Sequence, residues 1–240
     1  MNQPLGDSLF DRFRSSLRTG NTVASLTEGL IGHHATIDGP LGKKPMIYAD
    51  YVASGRALRQ IEDFVLSELL PFYANSHTEA SYVGGMMTRL RRQARDIIRT
   101  QCNASKNHAV IFAGSGATAG INRLVHLLGL PGMVAQGKSP VVLIGPYEHH
   151  SNILPWRESG AEVIEIDEAP GGGVDMGALE RSLQASLGAA RIVGAFSAAS
   201  NVTGILTDAD AVTRVLRAYG ALAVWDYGCA GPYCGMDMKA

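Results

Sequence analysis

Short apolar runs alternate with helical stretches from residue 108 to the end of the chain. The apolar runs lie at residues 108–113, 141–145, 162–167, 191–198 and 221–226. The stretches between them carry apolar residues at helical spacing, and they lie at residues 118–128, 151–159, 175–187 and 208–219. Strands that are almost wholly apolar, instead of alternating, are typical of a parallel sheet buried on both faces. The sequence therefore predicts an α/β, three-layer sandwich with a mainly parallel sheet.

The first hundred residues have a different pattern. A helix is predicted at residues 7–18 with Asp7 as its N-cap, and an irregular segment follows to about Pro45. Two longer helices are predicted at residues 56–72 and 81–102. We therefore assign residues 1–45 to an N-terminal arm or small subdomain and residues 46–240 to part of a large domain.

Composition and charge argue against a nucleic-acid partner. Hydrophobic residues make up 46% of the 240 residues and charged residues 18%, so the chain can bury a sizeable core. The net charge of −1 gives no overall electrostatic reason to bind nucleic acid or an anionic membrane. A local basic cluster between Arg89 and Arg99 lies on a predicted helix, and we interpret it as a solvated face with salt bridges.

The cysteines and the N-terminus favour a reducing compartment. Cys102, Cys229 and Cys234 are too few and too irregularly spaced for a disulfide framework or a zinc motif. The first twenty residues contain no uninterrupted apolar segment of the kind that a secretory signal needs. A run of about 18 apolar residues, the length that predicts a membrane span, occurs nowhere. We expect a cytoplasmic protein without a membrane partner.

The chain has two pairs of adjacent histidines, His33–His34 and His149–His150. Neighbouring side chains on an extended chain point to opposite sides, so two adjacent histidines are a poor match to one ion. We therefore predict no metal site, and we interpret His33–His34 as an ordinary polar pair.

A glycine-rich turn joins the first predicted strand to the helix that follows it. The turn reads Gly114-Ser115-Gly116-Ala117-Thr118. Glycines allow a close approach to the backbone, and the free N–H groups and dipole of a helix start favour a phosphate. The spacing is not that of the dinucleotide motif, because the third glycine falls one residue late. An ordinary glycine-rich turn explains the same residues equally well.

Three further polar residues stand where later strands end, which is where an open α/β sheet binds its ligand. His149 is suited to ring stacking or proton transfer. Asn201 has a side-chain amide that can donate to a ligand oxygen, although a turn or a cap also explains it. Asp226 closes an apolar strand, and a charge there needs a cation as a partner, although a helix-capping or salt-bridged aspartate also explains it. The protonated pyridine nitrogen of pyridoxal phosphate is such a cation.

Taken in order, these motifs resemble those of the class V aminotransferase family, and within it the cysteine desulfurases and selenocysteine lyases. YADYVASG at residues 48–55 resembles the family's Y-L-D-x-A-A-T, and FAGSGAT at residues 112–118 is similar to its F-T-S-G-A-T loop. EHHSNILPW at residues 148–156 is similar to E-H-H-A-N-x-x-P-W. SNVTG and VWDYGCA, later in the chain, resemble S-N-x-x-G and V-D-x-x-Q.

The resemblance implies a cofactor, pyridoxal 5′-phosphate, and a role for each matching residue. Gly116, Ala117 and Thr118 would hold its phosphate, and His149 would stack on its ring and move protons. Asn201 would contact the phenolic oxygen of the ring, and Asp226 would pair with its nitrogen. It also implies a fold type I large domain, a small amino-acid substrate and a homodimer. Our candidate substrate residues lie in two polar loops, and they are Asp50, Ser54, Asn75 and His77.

Two departures from the family pattern matter. Cys229 stands where the family has glutamine, so its contact with the cofactor is doubtful. The family's Schiff-base lysine belongs to an S-x-H-K motif that would follow Ala240, and Lys239 has no histidine before it. The resemblance therefore implies a large domain that is incomplete at its C-terminus and inactive alone. In the family, residues 108–113 would pair with strands beyond Ala240, so we expect this segment to lie apart from the sheet.

Three functions remain open from the sequence. The first is a pyridoxal-phosphate enzyme similar to cysteine desulfurases, with transamination, kynureninase-like cleavage or epimerisation as other outcomes in the family. The second is a nucleotide-binding oxidoreductase that uses the Gly114 turn, with Glu148 as the ribose-binding acid. The third is a non-catalytic remnant.

Overall fold

A computed structural model describes residues 8–231 and 233–239. They fall into two compact units, of which one ends at Asp96 and the other begins at Ile97. The elements of the first unit are α1 (Leu9–Ser16), α2 (Thr22–Glu28), β1 (Thr36–Gly39), β2 (Gly42–Pro45) and α3 (Arg59–Phe64). Helix α3 continues through a π-helical turn (Val65–Leu69) and a 3-10 turn (Leu70–Phe72), and α4 (Tyr82–Gln101) runs across the division between the units.

The sequence predicted the helices of the first unit better than its remaining segments. Asp7 lies outside the described residues, and the structure shows Ser8 as the N-cap of α1, with its hydroxyl accepting from the Asp11 amide at 3.2 Å. The segment predicted to be irregular contains α2 and the antiparallel pair of β1 and β2. A strand pair of four residues each with every residue exposed has no apolar alternation for a pattern to detect. The division after residue 45 stays a prediction.

The second unit alternates helices with parallel strands. Its helices are α5 (Gly116–Leu127), α6 (Leu130–Ala135), α7 (Leu154–Glu158), α8 (Met176–Ala185) and α9 (Ala209–Ala218). Its strands are β3 (Val141–Ile144), β4 (Glu162–Glu165), β5 (Ile192–Ser197) and β6 (Leu222–Asp226). They pair in the order β4-β3-β5-β6, and every pair is parallel. The predicted α/β fold with a parallel sheet is confirmed.

Helices cover both faces of this sheet and make the three layers. Side chains of β3 alternate between the faces, so Val141 and Leu143 belong to one core cluster and Val142 and Ile144 to the other. Helices α8 and α9 contribute to the first cluster through Leu179, Leu183, Val212 and Leu216. Helices α5, α6 and α7 contribute to the second through Ile121, Val125, Leu130 and Trp156. All four residues of β3 are buried, which explains its unbroken apolar sequence.

Residues 108–113 are not a strand, so the prediction of a strand there was wrong. The segment lies outside the four-stranded sheet, as we expected from the strand order of the family. Ile111 is 59% exposed and Phe112 is 47% exposed. An apolar run becomes a buried strand only where neighbouring strands pair with it, and residues 108–113 are not part of the described sheet.

Within the described ranges, none of the helices has both the length and the apolar character needed to cross a bilayer.

Candidate active site

Polar side chains gather where the parallel strands of the second unit end. Ser197 and Asp226 are the last residues of β5 and β6, and Glu148 follows β3 by four residues. Because the carboxyl ends of parallel strands meet at one edge of a sheet, these three residues come from distant parts of the sequence to the same edge. This edge is our candidate active site.

Glu148 joins the ends of β3 and β5. One carboxylate oxygen, Oε1, accepts from the Ser197 amide at 2.7 Å. The other, Oε2, accepts from the Ser197 hydroxyl at 2.6 Å and from the Asn152 amide group at 2.6 Å. Burial raises the pKa of Glu148 above its ordinary value; the hydrogen bonds offset part of that rise, and the nearby Asp226 carboxylate adds to it.

The Glu148 carboxylate is anchored in the core through Asn152. Asn152 is fully buried, and its side-chain oxygen accepts from the indole nitrogen of Trp156 at 2.9 Å. Trp156, in α7, is itself fully buried in the core cluster that α5 and α6 share with the sheet. Gly145 makes room for this arrangement, because a β-carbon there would lie 2.8 Å from Glu148 Oε1 and 2.9 Å from the Phe196 ring. The polar chain is therefore built into the fold.

His149, the predicted stacking residue, is exposed beside this chain. Its Nδ1 accepts from the Ser151 amide at 3.2 Å and lies 2.9 Å from the Ser151 hydroxyl. A nitrogen that accepts from a backbone amide carries no proton, so the neutral ring carries its proton on Nε2. The ring thus presents one N–H group outward while its other nitrogen is held.

The glycine-rich turn and the Asp226 turn lie side by side. Helix α5 begins at Gly116, and both Gly114 (φ +115°) and Gly116 (φ +68°) adopt backbone conformations that favour glycine. A β-carbon added to Gly228 would lie 3.3 Å from the β-carbon of Ala117. The Gly228 amide donates to Asp226 Oδ1 at 2.7 Å. The structure therefore brings the predicted phosphate residues Gly116, Ala117 and Thr118 close to Asp226.

Cys229, after β6, contacts the segment after β5 that contains Asn201. The Cys229 thiol donates to the Ala199 carbonyl at 3.0 Å, and burial raises the pKa of the thiol. Asn201 is exposed in the next turn, which the Gly204 amide closes by donating to the Ser200 carbonyl at 3.0 Å. The Cys229 sulfur is thus engaged by its own chain, whereas the Asn201 side chain faces solvent.

The candidate substrate residues lie in the first unit. Asp50 and Ser54 are exposed in one turn, where the Tyr48 hydroxyl donates to the carbonyls of both residues, at 3.0 and 2.6 Å. Asn75 and His77 are exposed in the loop before α4. Their role in substrate binding stays a prediction.

The sequence did not reveal the connecting roles of Ser197, Asn152 and Trp156. Asn152 and Trp156 belong to the EHHSNILPW motif, which does not say what their side chains contact, and only the register of β3 with β5 brings Ser197 to Glu148. The available signals were that motif and the place of Glu148 just after a buried strand. Because its carboxylate already accepts three hydrogen bonds from the chain, the structure disfavours its use as a ribose-binding acid in an oxidoreductase.

Comparison with known proteins gives the family of this chain. The sequence profile described as "Aminotransferase class-V" matches residues 47–240. The chain belongs to the class-V aminotransferase family. The profile begins one residue before the YADYVASG segment and includes every residue of the sheet edge described above.

Curated relatives within the class-V family include several described as probable cysteine desulfurases. The chain is 24% identical over 207 residues to one from Halalkalibacterium halodurans, covering 85% of this chain and 49% of the relative. It is 27% identical over 201 residues to one from Streptomyces coelicolor, covering 81% of this chain and 47% of the relative. This class-V chain therefore spans about half the length of the curated relatives it matches.

Solved structures share the fold of this class-V chain. The apo structure of a cysteine desulfurase from Thermococcus onnurineus NA1 is similar with a TM-score of 0.73 and 20% identity, over 90% of this chain and 50% of that one. A NifS-like protein from Rickettsia africae has a TM-score of 0.69 and 22% identity, over 81% of this chain and 51% of that one. At these identities the likeness shows a common fold.

Proposed function

We propose that this chain is the N-terminal part of a pyridoxal-phosphate enzyme that acts on a small amino acid, with cysteine desulfuration as the nearest activity. The observation that carries the proposal is the contact of two turns at one sheet edge: the glycine-rich start of α5 lies against the turn that holds the Asp226 carboxylate. An anion-binding helix start beside a carboxylate suits a cofactor with a phosphate and a basic ring nitrogen. Other class-V reactions, namely transamination, kynureninase-like cleavage and epimerisation, are the alternatives.

The start of α5 fits the phosphate group. Gly116 and Thr118 are exposed, so a ligand can reach the first-turn amides of this twelve-residue helix. The positive dipole end of the helix adds to the attraction for an anion. The side chain at Ala117 is small, which lets the Gly228 turn approach without covering the helix start.

Asp226 and His149 fit the ring of the cofactor. Asp226 is partly buried at the end of β6, and its carboxylate would favour the protonated form of a ring nitrogen. His149 is exposed with its outward N–H available, so it would cover one ring face and hold or give a proton at Nε2. When bound, the cofactor supplies an electron sink, and Asp226 would maintain it. Asn201 would add a hydrogen bond to the ring's oxygen.

Glu148 would act by position. Its three hydrogen bonds fix the backbone that leads from β3 into His149, and they tie that segment to the end of β5. A histidine that must cover a ring and move a proton needs this restraint, because small displacements of a catalytic group are costly. Glu148 is therefore a positioning residue in this proposal.

The proposal includes a part of the enzyme beyond residue 240. We propose that the lysine that would hold the cofactor follows Ala240. Lys239 is a poor candidate for that role, because its side-chain nitrogen donates to Asn103 Oδ1 at 3.0 Å. We further propose that the complete enzyme is a cytoplasmic homodimer and that this chain alone is inactive.

Cofactor binding by the chain and its variants tests the proposal. Pyridoxal phosphate should bind reversibly, and Asp226→Ala should weaken binding about tenfold or more, since a charge-assisted contact contributes about 1.5–3 kcal/mol. The matched control Asp210→Asn changes an exposed carboxylate in the first turn of α9 and should bind as the parent does. Equilibrium dialysis measures each affinity.

Two results would contradict the proposal. Equal affinities for Asp226→Ala and Asp210→Asn would remove the cofactor site from this sheet edge. Reduction with borohydride, followed by peptide mapping, tests the lysine separately. Stable labelling at a single lysine within residues 1–240 would show that the anchoring lysine is not missing.

A further inference from the structure

A carboxylate and two imidazoles gather at the end of α2, in the unit that does not contain the candidate active site. Glu28 is the last residue of α2, and His33 and His34 lie in the turns that follow it. One ligand atom from each side chain can be chosen so that all three lie within 4.8 Å of one another. Glu28 Oε2 and His34 Nε2 are 3.3 Å apart, and the two imidazole rings have centroids 4.6 Å apart.

The backbone at these histidines is folded into turns, which removes our earlier objection to a shared ion. Adjacent side chains point apart only on an extended chain. Instead, the His33 amide donates to the Leu30 carbonyl at 3.0 Å, and the Ala35 amide donates to the Gly32 carbonyl at 3.1 Å. Gly32 has a φ of +86°, a conformation that favours glycine. The turn therefore directs both rings towards Glu28.

Hydrogen bonds from residues 56–59 hold this turn in place. The Ile31 amide donates to the Ala57 carbonyl at 2.9 Å, and the Arg59 amide donates to the Gly29 carbonyl at 2.8 Å. The Arg56 guanidinium donates to the Ile31 carbonyl at 2.8 Å. A backbone that is already ordered reduces the entropy lost when a ligand binds. Only the three side chains need to adjust.

We propose that Glu28, His33 and His34 bind one divalent transition-metal ion of the zinc class. Imidazole nitrogens favour zinc, copper and nickel over magnesium or calcium, and a carboxylate is a common third ligand. Ligand atoms lie about 2.0–2.2 Å from zinc, which separates tetrahedral ligands by about 3.4 Å. Glu28 and His34 already have nearly this separation. Solvent would complete the coordination, because all three residues are exposed.

Titration of the purified chain with Zn²⁺ tests this site. The protein must carry no histidine tag and must be freed of metal with a chelator beforehand. Calorimetry should show one equivalent of bound Zn²⁺, and Co²⁺ should give a visible absorption band that Zn²⁺ displaces. Binding should weaken in acid, because protonated imidazole cannot coordinate a metal.

Variants separate this site from other ligands in the chain. His33→Ala, His34→Ala and Glu28→Gln should each weaken Zn²⁺ binding by more than about tenfold. Loss of a residue that only supports a metal ligand already costs about 10- to 100-fold in affinity, so loss of a ligand itself should cost at least the smaller of these. His126→Ala, which removes an exposed histidine of α5, should bind as the parent does. Circular dichroism should show that all four variants fold, since every changed side chain is exposed.

Three results would overturn the proposal. The first is that the parent chain shows no saturable binding of Zn²⁺. The second is that the double variant His33→Ala/His34→Ala binds Zn²⁺ as the parent does. The third is that His126→Ala and His33→Ala lose the same amount of Zn²⁺ affinity. None of these results bears on the cofactor site, because no residue of that site is involved.

Discussion

The two units of this chain differ in how much of their apolar surface they bury themselves. From Ile97 onwards, two clusters of buried side chains fill both sides of a parallel sheet. Among the described residues up to Asp96, the buried hydrophobic side chains are those of Met87 and Leu90, and α1, α2 and α3 have no buried residue. Ile47 is 90% exposed and Tyr73 is 77% exposed in that unit.

The difference matters because the candidate active site belongs to the well-packed unit. Glu148, Ser197 and Asp226 are fixed by strands whose side chains interlock with helices on both faces. The metal site that we propose lies in the other unit, where main-chain hydrogen bonds hold the turn. A sheet with two buried faces and a hydrogen-bonded turn are thus two separate ways of ordering polar groups.

Loss of the Trp156 side chain should give the largest effect. Trp156→Ala would leave a large cavity beneath the sheet and would remove the donor to buried Asn152. We expect the free energy of unfolding to fall by about 3–5 kcal/mol. Urea unfolding followed by circular dichroism and by the fluorescence of Trp225 measures the loss. The matched control, Tyr73→Ala, should change stability by less than about 0.5 kcal/mol, and equal losses would break the comparison between the units.

A methyl group at Gly194 should have an intermediate effect. A β-carbon there would lie 2.5 Å from both terminal carbons of the Leu216 side chain, which is fully buried against β5. We expect Gly194→Ala to destabilise the chain by about 1–3 kcal/mol through overpacking. Gly20→Ala is the control from the first unit, because nothing lies within 4 Å of its added carbon. Urea unfolding of both variants measures the difference, and a neutral Gly194→Ala would show that α9 packs loosely on the sheet.

The pH dependence of stability should reveal the smallest effect, at Glu148. The folded chain binds the Glu148 proton more tightly than the unfolded chain, because burial raises the pKa of this group above its ordinary value of 4.5. The stabilisation from protonation is therefore complete below pH 4.5 and is lost as the pH rises through the folded pKa. Glu148→Gln cannot titrate, so the parent should lose stability relative to this variant as the pH rises. Urea unfolding of both proteins, from below pH 4.5 to neutral pH, checks the trend. Equal changes of the free energy of unfolding with pH in the parent and in Glu148→Gln would contradict it.

The sequence predicted the second unit well because each element carries its own signal. Strands β3, β5 and β6 are mostly apolar runs, β4 has Val163 and Ile164 between two glutamates, and helices α8 and α9 follow the apolar spacing of one buried face. Residues 108–113 have the same apolar signal, yet they form no strand. A strand needs partners as well as composition, and no local pattern contains the strand order. The hairpin of β1 and β2 was missed for the opposite reason: it has partners but no apolar signal, since all eight of its residues are exposed.

The sequence identified individual residues of the candidate site but did not predict which of them contact one another. The motifs identified Asp226, His149 and the start of α5, because each follows a strand or opens a helix. They did not identify Ser197 as the partner of Glu148, since 49 residues separate the two in the sequence. Nor did they place His33 and His34 beside Glu28, because the turn that joins them depends on hydrogen bonds from residues 56–59. Long-range pairing decides both arrangements.

The three hydrogen bonds to Glu148 divide the candidate active site into a fixed wall and an exposed one. Both carboxylate oxygens are occupied by groups of the chain, so this side of the site has little freedom to reshape around a ligand. Asn201, in contrast, is exposed in a surface turn, and His149 is exposed and held through Ser151 alone among the printed contacts of its ring nitrogens. Substitutions on the exposed side of the site should therefore cost less stability than substitutions at Glu148 or Asn152.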